Sequence, residues 1–187
     1  MPNKLKKLPR NFFNRSTILV AHEILGTFLV HTVEGEQRIG RVVEVEAYLG
    51  PTDLAAHTSK GLTHRTRAMF GPPGHAYVYL VYGMHTCMNV VTEPEGTGTA
   101  ILLRALEPVQ NVPAKTSGPA LLCKAMGITL ADYGRDLCGD DFHFAMDPSA
   151  EPISVVERPR IGVDYAGEWA QKPLRFYVEG NKYISKK

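Results

Sequence analysis

The sequence predicts an α+β fold: a single domain over residues 1–187, with a curved, mostly antiparallel sheet or partly open barrel and flanking helices. Three observations predict it. Short runs rich in β-branched and aromatic residues recur along the chain between Gly/Pro turns. Helix punctuation is found at only two places, near residues 17–25 and 119–126. The length of 187 residues suits one core, and such a core is sustainable without disulfides.

The elements follow in order. Residues 1–15 read as a basic N-terminal arm, with Pro2 and Pro9 and no periodicity. Ser16-Thr17 precedes Ile18, Leu19, Ile24 and Leu25, with Gly26 after them, which predicts a short helix capped by Ser16. Residues 27–33 and 38–48 form a predicted hairpin across Glu34-Gly35-Glu36. Alternation in its second strand puts Val42, Glu44, Glu46 and Tyr48 on one face, opposite Arg41, Val43, Val45 and Ala47. After turns at 50–53 and 69–74, strands are expected at 75–81 and 86–92, joined by Tyr82-Gly83-Met84. An apolar strand at 99–106 should end at Glu107-Pro108. Residues 119–126 read as a helix between Ser117-Gly118 and Gly127, and 128–150 as an acidic loop region. Short strands are expected at 153–156, 161–163 and 174–178.

Composition excludes several classes. With 44% hydrophobic and 21% charged residues, the chain is neither disordered, collagen-like nor a coiled coil. No apolar run approaches the ~18–20 residues that span a bilayer, so no membrane association is expected. The start, MPNKLKKLPRNFF, lacks the apolar stretch of a signal peptide. Three widely spaced cysteines, Cys87, Cys123 and Cys138, offer no disulfide framework, and a cytoplasmic setting follows.

The net charge of +2 conceals segregation. Residues 1–92 hold 10 Lys/Arg against 6 Asp/Glu, 93–157 hold 4 against 10, and 158–187 hold 7 against 3. The 39 positions from 54 to 92 contain no acidic residue, but do contain Lys60, Arg65, Arg67 and four histidines. Unopposed positive charge beside aromatic residues suits a polyanion such as nucleic acid, although a basic loop facing solvent would look the same.

Three segments could carry chemistry. In RVVEVEAYLG, Glu46 is a carboxylate within an apolar strand, either a general base or one half of a structural ion pair. Glu44, on the same predicted face, is open to the same two readings. In AYVYLVYGMHTCMN, Tyr77 and Tyr79 share a face, and Tyr82 projects from a turn that Gly83 permits. Such rings can stack on a base or enter a base stack, or can be ordinary sheet aromatics. In ILLRALEP, Arg104 is the natural partner of a buried carboxylate. The chain has no GxGxxG, Walker loop, HExxH or GxSxG pattern, and its seven histidines show no metal-ligand spacing. No metal and no cofactor are expected.

EVEAYLGPTDLAAH, MFGPPGHAYVYLVYGMHTCMN, ILLRALEP, SGPALL and IGVDYAGEWAQKPLRFYV occur in this order, over nearly the whole chain. Together they resemble the alkyladenine (3-methyladenine) DNA glycosylase family. The resemblance implies a mixed α/β domain around a curved antiparallel sheet. It implies a monofunctional glycosylase, without lyase activity, that flips 3-methyladenine, 7-methylguanine, hypoxanthine or ethenoadenine out of duplex DNA and leaves an abasic site. Glu46 matches the family's general base and Arg104 the arginine that helps to hold the attacking water. The Val163 carbonyl matches a further water contact. Tyr48, His57 and Tyr79 match the residues around the flipped base, and Asn89 the one that disfavours guanine. Tyr82 matches the tyrosine that fills the gap in the duplex. Lys60, Arg65 and Arg67 are then expected on DNA phosphates, the partner is damaged double-stranded DNA, and the expected state is a monomer, nucleoid-associated if bacterial.

This sequence departs from the family in two places. Only eight residues, 109–116, separate Glu107-Pro108 from Ser117-Gly118-Pro119, where other members carry a longer basic segment. Ala120 and Leu121 follow that motif in place of a lysine, with Lys124 one turn later. Two other functions stay open on the residues alone: a binding module for distorted nucleic acid without catalysis, and a metal-dependent phosphodiesterase or nuclease, which would want a ligand cluster that the sequence does not display.

Overall fold

A computed structural model describes residues 5–112 and 115–187. The elements, in order, are β1 (Lys6–Lys7), α1 (Arg10–Phe13), α2 (Thr17–Ile24), β2 (Phe28–Val33), β3 (Glu36–Tyr48), β4 (Ala76–Val81), β5 (His85–Thr92), β6 (Thr99–Gln110), α3 (Pro119–Met126), β7 (Phe142–Met146), β8 (Val155–Arg158) and β9 (Arg175–Val178). Short 3₁₀ helices lie at His57–Lys60, Arg67–Phe70, Leu130–Asp132 and Asp164–Gln171. The fold is α+β, with all nine strands in one mostly antiparallel open sheet. Its main path runs β1-β7-β2-β3-β6-β5-β4, while β9 pairs with β3 and β8 with β9. Among the described residues no helix is long and apolar enough to cross a membrane.

β3 organises the sheet. Along one edge it pairs first with β2, from Glu36 to Arg41, and then with β9, from Glu44 to Glu46. Its other edge pairs with β6. The main core lies against one side of this strand, with Val42, Val45 and Ala47 packed among Leu29, Ile101, Leu103, Phe142, Phe144 and Phe176. Strict alternation therefore fails at Val42, which packs in the core and not beside Glu44. The cause is a register shift between Val42 and Glu44: Val42 faces Leu106 and Glu44 faces Ala105, leaving Val43 as the extra residue. A second shift follows at once, because Val45 faces Leu103 and Arg104 is the residue skipped on β6. Such irregularities re-aim side chains, and here they lie at the level of Glu44, Glu46 and Arg104.

The structure corrects the sequence reading in several further places. Of the expected basic arm, residues 1–4 lie outside the described residues, and the rest packs. Lys6 and Lys7 pair with Met146 and Ala145, and Phe13 is fully buried near Phe144. Arg10 bonds the Pro73 carbonyl and Asp136, so it is engaged within the protein. Ser16 occupies the cap position of α2 without a side-chain bond; Thr17 instead donates its amide and hydroxyl to Glu93.

β6 does not stop at Glu107-Pro108 but runs to Gln110. Pro108 faces Gly40 at an irregular point of the ladder, where its missing N–H is tolerated. Residues 109–110 of the short segment thus belong to β6, and 113–114 lie outside the described residues. β7 is a strand within the acidic stretch that reads as loop, held by Phe142 and Phe144 on its buried face. The strand expected at 153–156 is displaced to Val155–Arg158. Residues 161–163 form no strand; they are a loop with Gly162 at φ 76, leading into the last 3₁₀ helix.

Candidate active site

β3, β4, β5 and β6 deliver their side chains to a cleft of about 480 Å³. That size lies within the roughly 300–1,000 Å³ typical of ligand sites. Glu46, Tyr48, His57, Tyr79, Tyr82, Asn89, Arg104 and Val163 all line it. So does Arg65, but neither Lys60 nor Arg67. Lys60 lines an adjoining hollow of about 430 Å³ that shares His57, Arg65 and Tyr165 with the cleft. Arg67 is exposed at the start of its 3₁₀ helix.

Glu46 has no exposed surface, and each of its oxygens is occupied. Oε1 accepts the Ile161 amide at 2.8 Å and lies 3.3 Å from Arg104 Nη1; Oε2 accepts the Tyr48 hydroxyl at 2.8 Å. A charge taken out of water costs several kcal/mol unless such partners replace the solvent. Glu44 is equally buried but does not line the cleft. It accepts Arg104 Nε at 3.3 Å, Arg175 Nη1 at 3.0 Å, and both the amide and the hydroxyl of Ser185. Arg104 is therefore partner to two carboxylates, not to Glu46 alone. Of the two glutamates, only Glu46 meets the cleft.

The walls are aromatic. Tyr77 and Tyr79, two residues apart on β4, stack at 5.3 Å between centroids, and the His57 ring meets Tyr79 edge-on at 4.7 Å. Tyr48, at the end of β3, carries the Arg160 guanidinium over its ring at 4.7 Å. Arg160 has its own anchor, a bidentate pair with Asp53 at 2.6 and 2.8 Å, with both side chains fully buried. Asp53 in turn accepts the Leu49 and Ala55 amides. This pair ties the loop after β3 to the loop that presents Ile161 and Val163. Burial, and then the neighbouring Glu46 charge, hold the Tyr48 hydroxyl protonated well above the usual phenol range. Burial likewise raises Tyr79, and raises Tyr77 to about 12.

His57 sits where a 3₁₀ helix begins, with Nδ1 2.8 Å from the Tyr77 hydroxyl. Burial, and then the positive charge of Arg65, lower its pKa to about 4, so the ring is neutral at pH 7. The Asn89 side chain is buried and donates to the Tyr77 carbonyl at 3.2 Å. The Val163 carbonyl accepts the Ala166 amide at 2.9 Å, which leaves its second lone pair. Tyr82 stands at the tip of the β4–β5 turn, 91% exposed and at φ 51, with Gly83 following at φ 70. A tyrosine held in the left-handed region costs of order 1 kcal/mol or more, and such strain concentrates at functional positions.

The sequence reading passed over Ile161, Arg160, Asp53, Arg175 and Ser185. Ile161 acts through its backbone amide, which leaves no residue-type signal. Asp53, Arg160 and Ser185 lie far apart in the chain, and only the fold brings them to the site. Cys87, in the cleft wall, is buried, as is Cys123, while Cys138 is half-buried; all three are free thiols. Among the described residues no group of three or more His, Cys, Asp or Glu is placed to hold a metal ion.

The α+β fold thus presents a cleft that combines aromatic walls with a buried, charge-compensated carboxylate. Comparison with known proteins narrows this. The sequence model of the methylpurine-DNA glycosylase family matches residues 11–182. A protein of Legionella pneumophila (strain Corby), provisionally named a 3-methyladenine DNA glycosylase, is 59% identical over 97% of this chain and all of its own length. Similarly named proteins of Myxococcus xanthus (strain DK1622) and Anaeromyxobacter dehalogenans (strain 2CP-1 / ATCC BAA-258) are each 50% identical over 96% of this chain, covering 93% and 86% of their own lengths. The chain belongs to the methylpurine-DNA glycosylase family, a family of DNA-repair enzymes.

The His57 environment makes stability depend on pH with a definite sign. Above pH 6.5 neither folded nor unfolded chain protonates this ring. As pH falls from 6.5 toward about 4, the unfolded chain gains the proton and the folded chain does not, so stability is lost. Urea unfolding at pH 7.5 and 4.5 should therefore show wild type losing more stability on acidification than His57→Gln. Equal losses would contradict the buried, neutral ring.

Proposed function

We propose that this chain is a monofunctional glycosylase that takes alkylated or deaminated purines from double-stranded DNA. The candidates are 3-methyladenine, 7-methylguanine, hypoxanthine and ethenoadenine. The observation that carries the reading is Glu46: a buried carboxylate in the cleft, ion-paired with Arg104 and hydrogen-bonded by Ile161 and Tyr48, beside aromatic walls. The relatives' names support the 3-methyladenine class.

A glycosidic bond inside a duplex is out of reach, so the nucleotide rotates outward at a cost of a few kcal/mol, least for a damaged base. Tyr82, projecting from its turn, fills the vacated space. Lys60 and Arg67 meet phosphates, and Arg65 serves the cleft mouth. Tyr48, His57 and Tyr79 then surround the purine. A cationic ring such as 7-methylguanine gains about 0.5–2 kcal/mol over an aromatic face. Asn89, fixed by the Tyr77 carbonyl, crowds the exocyclic amino group of normal guanine. Water, oriented by Arg104 and the Val163 carbonyl, gives its proton to Glu46 as its oxygen bonds C1′. The electron pair of the broken bond departs with the purine, and general-base assistance of this kind is worth about 10²–10⁴-fold. Because water and not an amine attacks, no Schiff base forms. One chain suffices for every step, and the protein acts as a monomer on DNA in the cytoplasm.

The test is incubation with duplexes carrying 7-methylguanine, hypoxanthine or ethenoadenine, with EDTA present, followed by chromatography of the liberated purines. Free purine and strands that break only on alkali treatment are expected; no free purine, or strand breaks without alkali, would overturn the reading. In the same system Tyr82→Ala should weaken binding to lesion duplex by roughly tenfold, in keeping with about 1–3 kcal/mol for a stacked ring. Unchanged affinity and turnover would remove Tyr82 from the wedge role.

A further inference from the structure

Glu44 is a buried carboxylate that the proposed reaction does not use. Its surroundings, and not its own reactivity, carry an inference that rests on that reaction. We infer that Ser185, directly and through Glu44, and Arg175, through Glu44, position Arg104: they set the plane of its guanidinium so that one edge serves Glu46 and the attacking water.

The three terminal nitrogens of Arg104 meet three different partners. Nη1 lies 3.3 Å from Glu46, Nε donates to Glu44 at 3.3 Å, and Nη2 donates to the Ser185 hydroxyl at 3.3 Å. Each contact is at the long end of the hydrogen-bond range, so none alone fixes the planar fork. Rotation about the Nη1–Glu46 contact is opposed by the two contacts on the opposite edge. Glu44 is a firm stop because it is itself tied down, by Arg175 Nη1 at 3.0 Å and by the amide and hydroxyl of Ser185. Arg175 is fixed by the Pro159 carbonyl at 3.1 Å and the Lys186 carbonyl at 2.8 Å. The segment after β9 thereby closes the back of the site.

Charge makes Ser185 the discriminating member. Glu44 and Glu46 face Arg104 and Arg175, two negative charges against two positive ones, all four side chains buried. Removing any of these leaves an uncompensated ion, which is strongly destabilising whatever its role in the reaction. Ser185 is neutral, half-buried, and contributes its hydroxyl to Glu44 and Arg104 together. Its loss removes the Nη2 contact of that edge and one donor to Glu44 without disturbing the balance of charge.

The experiment compares wild type, Ser185→Ala and Ser185→Thr as full-length proteins. Single-turnover release of 7-methylguanine from duplex should fall roughly tenfold in Ser185→Ala, since misplacing a reacting group by about 1 Å costs on the order of 10²-fold. Affinity for duplex containing a stable abasic-site analogue should stay within about twofold, the signature of a loss confined to the chemical step. Ser185→Thr should restore most of the rate, and the ¹⁵N-detected Arg104 Nε–H signal should shift or exchange faster in Ser185→Ala only. A wild-type rate in Ser185→Ala would overturn the inference, as would parallel loss of rate and affinity that threonine does not rescue. If the parent protein releases no purine while the Arg104 signal still moves, the proposed reaction fails and the positioning geometry stands.

Discussion

The architecture of the site follows from keeping two carboxylates out of water, two residues apart on one strand. Glu44 and Glu46 have no exposed surface, and an ion in such a place costs several kcal/mol unless matched. Arg104 lies between them because β3 and β6 each carry an extra residue at that level, and the one on β6 is Arg104 itself. β9 pairs alongside the same three residues of β3 and supplies Arg175. The loop before the last 3₁₀ helix supplies the Ile161 amide. Register, strand order and loop path thus converge on one pair of glutamates.

The consequence is a division of labour between chemically identical groups. Glu44 is saturated by donors and lies away from the cleft, so it acts as structure. Glu46 lies at the cleft floor, where a proton can arrive from a ligand side. The walls above it are built on the same logic of buried polarity made good. Arg160 and Asp53 neutralise each other behind Tyr48, and Tyr77 occupies the Nδ1 side of a neutral His57. A neutral imidazole and phenols that resist ionisation add no negative charge to the cleft walls, next to the carboxylate that the proposed reaction uses as its base.

Much of this was legible in the sequence, because its signals were local. The 27–33 and 38–48 hairpin, the helix ending at Gly127, and the turn at Tyr82-Gly83 each have short-range chemistry of their own. β7 was not legible: five residues, FHFAM, sit in an acidic context, and their strand character comes from Phe142 and Phe144 meeting a distant core. The face of Val42 was misread because an extra residue inverts alternation without changing composition. Ile161–Val163 looked like a strand by its β-branched residues, yet Gly162 at φ 76 turns the chain. The cleft residues were reached through motif resemblance, whereas Ile161, Arg160 and Ser185 depend on backbone groups and long-range contacts that no spacing encodes. Arg10 was counted with a free basic arm, but its partners Asp136 and Pro73 lie more than 60 positions away.

The proposed reaction requires that Glu46 serve the chemistry and not only the packing. The direct measurement is Glu46→Gln, read both for purine release under single-turnover conditions and for affinity to lesion-containing duplex. Glutamine keeps the shape and an acceptor for Arg104 while removing the base; because it also unbalances the four buried charges, retained affinity is the check that the variant is folded. Release should fall by at least about 10²-fold, with affinity held within a few-fold. Release near the wild-type rate would contradict that role.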